Sequence, residues 1–303
     1  MQTRFSKNPT PLQPISDPLF EKKRIQVWIK REDLNHPDIQ GNKWHKLRHN
    51  LAAALEKGQT ELLTFGGAYS NHIAATAFAA KEYGLKSIGL IRGDELADNP
   101  QRWSHTLKLA SENGMQLIFL NRQEYRKRND ASFLQTLQER YPNAFILPEG
   151  GSNALAVLGF ESLMQNLQEQ CPQWTHLYTA VGTGGTLAGL VKYASPYSGR
   201  KILGVATLKE ADYLLPQISQ WIGKTEVVDW ELLTQYHDGG YGKLSENLRL
   251  FKSRFETDYD VPLDPVYTVK AFHAFYQQLQ QGEIPPGSNV VLLHTGGLQG
   301  NSV

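Results

Sequence analysis

The sequence predicts an α/β protein with two open, mostly parallel sheets that carry helices on both faces. Short apolar runs typical of strands alternate with stretches of helical period, and turns marked by Gly or Asn separate them. This alternation runs through the chain in two successive series. A chain of 303 residues also exceeds what one hydrophobic core usually organises, so two compact units are expected.

The chain opens with a segment that should lie extended over the surface, because proline disfavours helix at itself and at the preceding residue. Its prolines are Pro9, Pro11, Pro14 and Pro18. The alternating run at 26–30 then predicts a short strand. A helix is predicted over 42–57, where Leu47, Leu51, Ala54 and Leu55 recur at helical spacing. Asn42 is expected to cap the start of this helix and Gly58 its end.

The two series then follow in order. The first has predicted strands at 62–65, 87–91, 116–120 and 145–147 and helices at 71–83, 102–113 and 131–140. The second has strands at 176–181, 201–207 and 289–294 and helices at 155–169, 186–195, 211–221, 244–256 and 269–281. The basic run 122–128 is interpreted as a solvated helix face. The stretch 227–245, with Asp238-Gly239-Gly240-Tyr241-Gly242, predicts a tight excursion, and long connections of this kind are often functional.

Composition excludes several classes of protein. The 31 basic and 30 acidic side chains nearly cancel, so no strong field favours nucleic acid or an acidic membrane, and a small-molecule partner is expected. The single cysteine, Cys171, excludes an intramolecular disulfide and argues against a cysteine-built metal site. Residues 1–20 lack the apolar run of a secretory signal, and no run of about 18 apolar residues predicts a membrane span. We therefore expect a cytoplasmic protein.

Lys43 follows a Gly41-Asn42 turn at the mouth of a predicted helix, so its amine should be held in a fixed place. Such an amine can form a Schiff base with a carbonyl compound, and burial together with the helix end would lower its pKa as that chemistry requires. A positive charge at a helix N-terminus is slightly unfavourable, so stability does not explain the placement. The alternative is an ordinary exposed lysine.

A glycine-rich loop at 182–185 lies between a predicted strand and a predicted helix. Backbone amides and the helix dipole make such a junction an anion site, although a tight turn without a ligand is the alternative. A single phosphate fits better than a pyrophosphate, because Leu187 stands where the dinucleotide fingerprint needs its third glycine.

The segment Gly66-Gly67-Ala68-Tyr69-Ser70-Asn71-His72 has the same layout, and Ser70 and Asn71 would hold a carboxylate above the helix start. Alternatively, one of them caps its own helix and His72 bonds to a backbone carbonyl. His45 and His49 share a helix face, but no acidic residue or HExxH pattern accompanies them, so no metal site is expected. No G-x-S-x-G elbow indicates a serine hydrolase.

Six motifs together carry a resemblance to a known family. They are Gly41-Asn42-Lys43, Gly67-Ala68-Tyr69-Ser70-Asn71-His72, Pro148-Glu149-Gly150-Gly151-Ser152-Asn153-Ala154, Val181-Gly182-Thr183-Gly184-Gly185-Thr186, Leu263-Asp264-Pro265-Val266-Tyr267-Thr268 and His294-Thr295-Gly296-Gly297. In this order they resemble the 1-aminocyclopropane-1-carboxylate (ACC) deaminase and D-cysteine desulfhydrase family. The resemblance, which runs from about Pro9 to the end, implies a homodimeric pyridoxal-phosphate enzyme of the tryptophan-synthase-β fold. It implies a large domain of residues 1–46 and 157–303 and a smaller inserted domain of residues 47–156, with the cofactor between them.

The resemblance also implies roles for individual residues. Lys43 would be the Schiff-base lysine, with Asn42 beside the ring hydroxyl of the cofactor, and Thr295 or else Thr268 would face the pyridine nitrogen. Tyr267 and Tyr241 would be active-site tyrosines and act in catalysis with Lys43 and Ser70. The phosphate cradle would consist of Val181, Gly182, Thr183, Gly184, Gly185 and Thr186. The substrate carboxylate site would consist of Ser70, Asn71 and His72.

The two branches of the family differ at certain positions, and the residues that this chain has there favour one reaction. The deaminase branch has glutamate at the position of Thr268 and glutamine at that of His72, so this chain is more similar to the desulfhydrases. Threonine near the pyridine nitrogen makes the ring a weaker electron sink, which suits loss of hydrosulfide better than opening of a cyclopropane. After His294-Thr295-Gly296-Gly297 this chain has Leu298-Gln299-Gly300, where desulfhydrases carry Ala-Pro. We therefore expect the far wall of the pocket to differ from theirs.

The reaction expected is therefore β-elimination after Lys43 removes the α-proton, with a tyrosine assisting the leaving group. D-cysteine would give pyruvate, ammonia and hydrogen sulfide. One alternative is ACC deamination to 2-oxobutanoate and ammonia. Another is a protein that stores or senses pyridoxal phosphate with little catalysis.

Overall fold

A computed structural model describes residues 9–194, 199–223 and 228–298. The described strands are β1 (Leu12–Ile15), β2 (Gln26–Lys30), β3 (Glu61–Gly67), β4 (Lys86–Arg92), β5 (Met115–Leu120), β6 (Ala144–Ile146), β7 (His176–Val181), β8 (Lys201–Ala206), β9 (Asp229–Leu233) and β10 (Asn289–Leu293). The described α-helices are α1 (Pro18–Lys23), α2 (Asn42–Glu56), α3 (Asn71–Glu82), α4 (His105–Glu112), α5 (Arg122–Arg126), α6 (Ala131–Arg140), α7 (Ala154–Leu158), α8 (Glu161–Gln170), α9 (Gly185–Tyr193), α10 (Leu215–Ile222), α11 (Glu246–Tyr259) and α12 (Thr268–Gln281). Within these ranges, none of the helices has both the length and the apolar character that crossing a bilayer requires.

The described strands form two sheets. The larger sheet has the order β1-β2-β10-β7-β8-β9, in which β1 pairs antiparallel with β2 and every other neighbouring pair is parallel. The smaller sheet has the order β5-β4-β3-β6 and is wholly parallel. The predicted α/β fold with two mostly parallel sheets is confirmed.

Helices bury both faces of the larger sheet. Successive side chains of a strand point to opposite faces, and in β10 this sends Val291 and Leu293 to one side and Val290 and Leu292 to the other. Residues of α8, α9 and α10 complete the first core cluster. Residues of α1, α11 and α12 complete the second. Because both faces are covered, the strands are almost continuously apolar.

The smaller sheet is covered in the same way. Leu62 of β3 packs with α2 and α3 on one face, and the next residue, Leu63, packs with α5 and α6 on the other. All four strands of this sheet lie between residues 61 and 146. The domain boundaries expected at 46/47 and 156/157 remain a prediction.

The proline-rich opening differs from the expectation. Residues Leu12–Ile15 form an edge strand, with Pro14 opposite Trp28, which is a place where a missing N–H is tolerated. Pro18 is the first residue of α1, because proline fits the first helical turn and the Asp17 side chain accepts a capping bond from the Leu19 N–H at 2.7 Å. The extended surface segment expected over these residues is therefore wrong from residue 18 onward.

Three other expectations are corrected. The helix predicted over 155–169 is two helices, α7 and α8, separated at Gly159 and Phe160. The chain passes so close to α2 there that a Cβ at Gly159 would lie 1.8 Å from the His45 carbonyl oxygen. The stretch 227–245 contains β9, an edge strand paired with β8. The run 122–128 is only partly solvated: Tyr125 is buried and Arg128 forms an ion pair of 2.7 Å with Glu149.

Candidate active site

The predicted motifs meet in a cavity at the carboxyl ends of strands from both sheets. Gly67 ends β3, and Ser70, Asn71 and His72 follow it; after β7 come Gly182, Thr183, Gly184 and Thr186; after β10 come Thr295, Gly296 and Gly297. The cavity has about 210 Å³, far more than the roughly 30 Å³ that one water molecule takes up in the liquid. Ligands of open parallel sheets bind at such strand ends. Gly185 and Thr268 are not among the described residues that line it.

Gly41 fixes the position of the segment that carries Lys43. Its φ is +65°, and a Cβ there would lie 1.9 Å from the Thr295 carbonyl oxygen. The Asn35 side chain bonds to both backbone groups of Gly41, accepting from its N–H at 2.8 Å and donating to its carbonyl at 2.9 Å. Asn42, the first residue of α2, donates its N–H to Thr295 at 3.2 Å. Gly41, and not Asn42 as expected, is the residue that precedes the helix.

The Lys43 amine is held inside the cavity. It donates a hydrogen bond of 2.8 Å to Oδ1 of Asn42, whose Nδ2 donates to Oγ1 of Thr186 at 2.9 Å. Burial lowers the pKa of Lys43 to about 8, although the Asp264 carboxylate opposes the shift. Asn42 therefore connects a nucleophile of lowered pKa to the glycine-rich loop.

The loop after β7 has the shape of an anion cradle. Gly184 has φ +82°, and a Cβ would lie 2.6 Å from the Ile218 side chain at Gly184 and 2.6 Å from Oγ of Ser152 at Gly185. Helix α9 begins at Gly185, so the first N–H groups of the helix have no partner within it. These amides and the helix dipole favour a single phosphate.

Lys46 is a residue of this site that the sequence reasoning missed. It is 3% exposed, and its Nζ donates to the Gly150 carbonyl at 3.0 Å and to Ser152 Oγ at 2.9 Å, with Thr183 Oγ1 at 3.4 Å. Burial lowers its pKa well below the usual value, and the nearby Lys43 charge adds to the shift. A signal existed, because Lys46 stands three residues after Lys43 and so shares its helix face. Lys46 places a second amine beside the phosphate cradle.

The start of α3 supplies donors for a carboxylate. In the described structure the Ser70 side chain makes no capping bond to its helix, so the capping alternative does not hold for Ser70. Asn71 donates from Nδ2 to Asp264 Oδ2 at 3.1 Å, which orients its amide. Both residues line the cavity.

His72 is buried and faces the same cavity. Its Nε2 lies 2.8 Å from Oγ1 of Thr64, rather than on a backbone carbonyl as the alternative supposed. Its Nδ1 is buried and has no hydrogen-bond partner among the described residues. Burial, with Lys43 and Lys46 nearby, lowers its pKa well below the usual value, so the ring is neutral. A neutral ring nitrogen can accept or donate a bond to a ligand.

Tyr241 and Tyr267 lie against each other on the cavity wall. Their rings are edge to face with centroids 6.1 Å apart. Burial raises the pKa of Tyr241 to about 12, while a bond to Tyr267 opposes the rise, and burial raises that of Tyr267 well above its usual value. Both hydroxyls therefore keep their protons near neutral pH and can serve as donors.

Thr295 lines the cavity, and Thr268 lies behind it with the two Oγ1 atoms 3.3 Å apart.

Among the described lining residues the only carboxylate is Glu149. It accepts from Arg128 Nε at 2.7 Å and from the Tyr125 hydroxyl at 2.6 Å. The sequence reasoning missed this pair and the neighbouring Arg92, because nothing in their local patterns indicated a cavity wall. Gln299 and Gly300, named for the far wall, lie outside the described residues.

The ring nitrogens of His45 bond to other groups of the protein and not to His49. The two ring nitrogens of His45 contact Glu32 Oε2 at 2.7 Å and the Gly159 carbonyl at 3.2 Å. Within the described ranges, no group of three or more potential metal-binding side chains is present.

Comparisons with known proteins show which family and which solved structures the chain is similar to. The model of the family described as pyridoxal-phosphate dependent enzyme matches residues 4–296. A Thermotoga maritima protein named putative ACC deaminase is 31% identical, covering 99% of this chain and 97% of its own length. D-cysteine desulfhydrase of Salmonella typhimurium is 28% identical, covering 97% and 93%. A solved structure of an ACC deaminase homologue has a TM-score of 0.82 at 28% identity, covering 97% of this chain and 91% of that one.

Proposed function

Since the chain belongs to the family of pyridoxal-phosphate dependent enzymes, we propose that it catalyses β-elimination from a small amino acid, with D-cysteine as the substrate. The products are pyruvate, ammonia and hydrogen sulfide. The observation that carries the proposal is the placement of the Lys43 amine, 2.8 Å from Asn42 Oδ1, in one cavity with a phosphate cradle and with Ser70 and Asn71.

The residues present fit the cofactor. Lys43 offers an amine of lowered pKa for the aldehyde. The amides at the start of α9, together with the Lys46 amine, offer hydrogen-bond donors for the phosphate. The unpartnered Nδ1 of His72 leaves a polar atom that a ligand can satisfy. When bound, pyridoxal phosphate supplies an electron-withdrawing ring that stabilises negative charge at the substrate Cα.

The protein residues bind the substrate, transfer protons and hold the cofactor. Ser70 and Asn71 bind the substrate carboxylate, and Asp264 orients the Asn71 amide. Lys43 Nζ removes the α-proton, because a pKa of about 8 lets an amine exchange protons near neutral pH. Tyr241 and Tyr267, which keep their protons, supply one to the departing sulfur. Asn42, Thr295 and the segment Val181-Gly182-Thr183-Gly184-Gly185-Thr186 would hold the cofactor. Thr295 is preferred to Thr268 for this role because, of the two, Thr295 lines the cavity.

D-cysteine is favoured over ACC by the chemistry of the cavity wall. Glu149, the only carboxylate among the described lining residues, is already paired with Arg128. A threonine at the ring nitrogen supports its protonation weakly, and elimination of hydrosulfide demands less of the ring than opening a cyclopropane. ACC deamination to 2-oxobutanoate is the second candidate, and the 31% identity to a protein named putative ACC deaminase favours it.

A substrate panel separates the two candidates. Purified enzyme is assayed side by side with D-cysteine, L-cysteine, β-chloro-D-alanine and ACC, and the 2-oxo acid is quantified. We expect pyruvate from D-cysteine and β-chloro-D-alanine at kcat/KM values above those for the other two. A higher kcat/KM for ACC would reverse the assignment. Cofactor absorbance that none of the amino acids perturbs would instead support storage without catalysis.

The role of Lys43 is tested separately. Lys43→Ala should abolish both the absorbance of the lysine-bound cofactor and turnover, whereas Lys57→Ala, an exposed lysine at the other end of α2, should leave both unchanged. Retention of either signal by Lys43→Ala would show that another residue bonds to the cofactor.

We also propose a cytoplasmic homodimer in which residues 47–156 form a domain inserted into a larger one. Closed symmetric dimers are the commonest oligomers of soluble enzymes. A single buried cysteine suits a reducing compartment. Light scattering of the purified holoenzyme should give twice the mass of the 34.1 kDa chain, and the mass of one chain would refute the dimer.

A further inference from the structure

Lys270 is a buried amine that the reaction proposed above does not use. It lies in the first turn of α12 and is 1% exposed. Its Nζ donates to the His237 carbonyl at 2.8 Å and to the Gly240 carbonyl at 2.7 Å. Burial lowers its pKa to about 8, against the opposing charges of Asp238 and Asp264. Burying an amine is unfavourable compared with burying an apolar chain of similar length, so stability alone does not account for it.

The two carbonyls belong to a loop of unusual backbone conformation, residues 237–243. Four of its residues have positive φ: Asp238 (49°), Gly239 (82°), Gly240 (108°) and Gly242 (68°). Of these only Asp238 is not glycine, and its carboxylate accepts a bond from the Ser245 N–H at 2.7 Å. Because its three glycines are conformationally permissive, contacts from outside the loop help to keep it in one shape.

Lys270 bonds to the acceptors of both turns in this loop. The His237 carbonyl also accepts from the Gly240 N–H at 3.0 Å, and the Gly240 carbonyl also accepts from the Lys243 N–H at 3.1 Å. The amine thus joins two successive turns from outside. Tyr241 is the second residue of the second turn, and its side chain lines the cavity.

The first turn of α12 also determines where the ring of Tyr267 lies. Tyr267 directly precedes α12, and the Lys270 N–H donates to its carbonyl at 3.1 Å. Tyr267 is therefore fixed by the backbone of this turn, while Tyr241 is fixed to it through the Lys270 side chain. One turn of α12 sets the distance between the two tyrosines.

We propose that Lys270 is a positioning residue, which holds the loop 237–243 so that Tyr241 stays beside Tyr267 in the cavity. The inference rests on the proposed role of Tyr241 in the elimination. Lys270 itself touches neither substrate nor cofactor, because its amine is engaged by the loop carbonyls.

The first test measures turnover of D-cysteine by the holoenzyme of Lys270→Met. Displacing a proton donor by about 1 Å can lower a rate by up to about 100-fold, so we expect kcat to fall by about 10- to 100-fold. The cofactor absorbance should be unchanged, because Lys43 and the phosphate cradle lie on other elements. Lys243→Met is the matched control: it removes an exposed lysine of the same loop and should retain wild-type kcat. Loss of cofactor from Lys270→Met, or an unchanged kcat, would overturn the proposal.

The second test asks whether Lys270 acts through Tyr241. In a Tyr241→Phe background the hydroxyl that Lys270 positions is already gone, so adding Lys270→Met should lower kcat by less than about twofold. Equal losses in both backgrounds would show that Lys270 acts elsewhere.

The third test does not depend on the substrate. Hydrogen exchange of the Gly240 and Lys243 amides should be faster in Lys270→Met than in wild type and unchanged in Lys243→Met. Lys270→Gln, which keeps two N–H donors, should be intermediate and replaces Lys270→Met if the latter does not fold. Failure of the wild-type enzyme to convert D-cysteine would count against the proposed function, whereas unaltered exchange would count against the role of Lys270.

Discussion

At the scale of single residues, the pKa of Lys43 gives a direct prediction. Burial lowers it to about 8, and only the neutral amine can attack an aldehyde. The rate at which the apoenzyme takes up pyridoxal phosphate should therefore rise with pH through about 8 and level off above it. Stopped-flow absorbance over a pH series measures this. A rate that keeps rising to about 10.4, the ordinary lysine value, would mean that the amine is solvated.

The neighbouring carboxylate provides the control. Asp264 raises the pKa of Lys43 against the effect of burial, so Asp264→Asn should move the midpoint of the uptake profile to lower pH. A midpoint that stayed in place or moved upward would contradict the assigned electrostatics.

Lys46 should govern affinity for the cofactor rather than its covalent attachment. Its amine lies within 3.0 Å of Gly150 and Ser152, beside Thr183 of the phosphate cradle. A charge-assisted bond contributes about 1.5–3 kcal/mol, so Lys46→Met should weaken pyridoxal-phosphate binding about 10- to 150-fold. Equilibrium titration of the apoenzyme measures this constant. Lys57→Met, on the exposed end of the same helix, should bind as wild type does, and equal affinity of the two variants would exclude a phosphate contact.

At the scale of elements, the turn before α2 is the part that tolerates least change. Gly41 and Gly58 have nearly the same φ, +65° and +67°, but a Cβ at Gly41 meets the Thr295 carbonyl oxygen at 1.9 Å while at Gly58 nothing lies within 4 Å. Gly58→Ala should cost about 1–2 kcal/mol for the left-handed conformation alone and retain activity. Gly41→Ala must displace the backbone beneath Lys43, so it should lose more stability and most of its cofactor. Denaturant unfolding and cofactor absorbance measure both, and similar behaviour of the two variants would refute the clash.

Local sequence patterns predicted those strands in which apolar residues are continuous or alternate regularly with polar ones. The strands at Gln26–Lys30 and His176–Val181 have the predicted bounds, because each is a compact apolar or alternating run with polar residues around it. β9 was missed, although Asp229 and Glu231 alternate with Trp230 and Leu232 as in a half-exposed edge strand, and its pairing with β8 defines it. α1 was missed because Pro18 and the prolines before it indicated extended chain, although Asp17 and Pro18 together are a helix-start signal.

At the scale of the whole molecule, the site could be predicted only where its residues are close in sequence. Lys43 and the glycine-rich loops are local patterns, and each lies at a strand end or a helix start. The contacts that orient them join distant segments: Asn71 bonds to Asp264, and Lys46 bonds to Ser152 and Thr183. Such pairs follow from how the two sheets are placed, which no local pattern of one sequence records.

The stability of the whole fold should depend on Glu32 in acid. This carboxylate is 3% exposed and bonds to Thr10, to Asn35 at 3.1 Å and to His45 at 2.7 Å. It therefore ties the opening segment to α2. Burial alone would raise its pKa, but His45, Lys30 and the hydrogen bonds outweigh burial and lower it from 4.5 to about 2.

A depressed carboxylate pKa contributes stability that is complete above the unfolded value, 4.5, and is lost as pH falls toward the folded value of about 2. The contribution is on the order of 3 kcal/mol. The difference in unfolding free energy between wild type and Glu32→Gln should therefore shrink by that amount as pH falls from 4.5 to 2. Urea unfolding at a series of pH values measures the difference. Glu246→Gln, which alters an exposed carboxylate, should show no such trend, and a pH-independent difference for Glu32→Gln would mean that Glu32 titrates alike in the folded and unfolded chain.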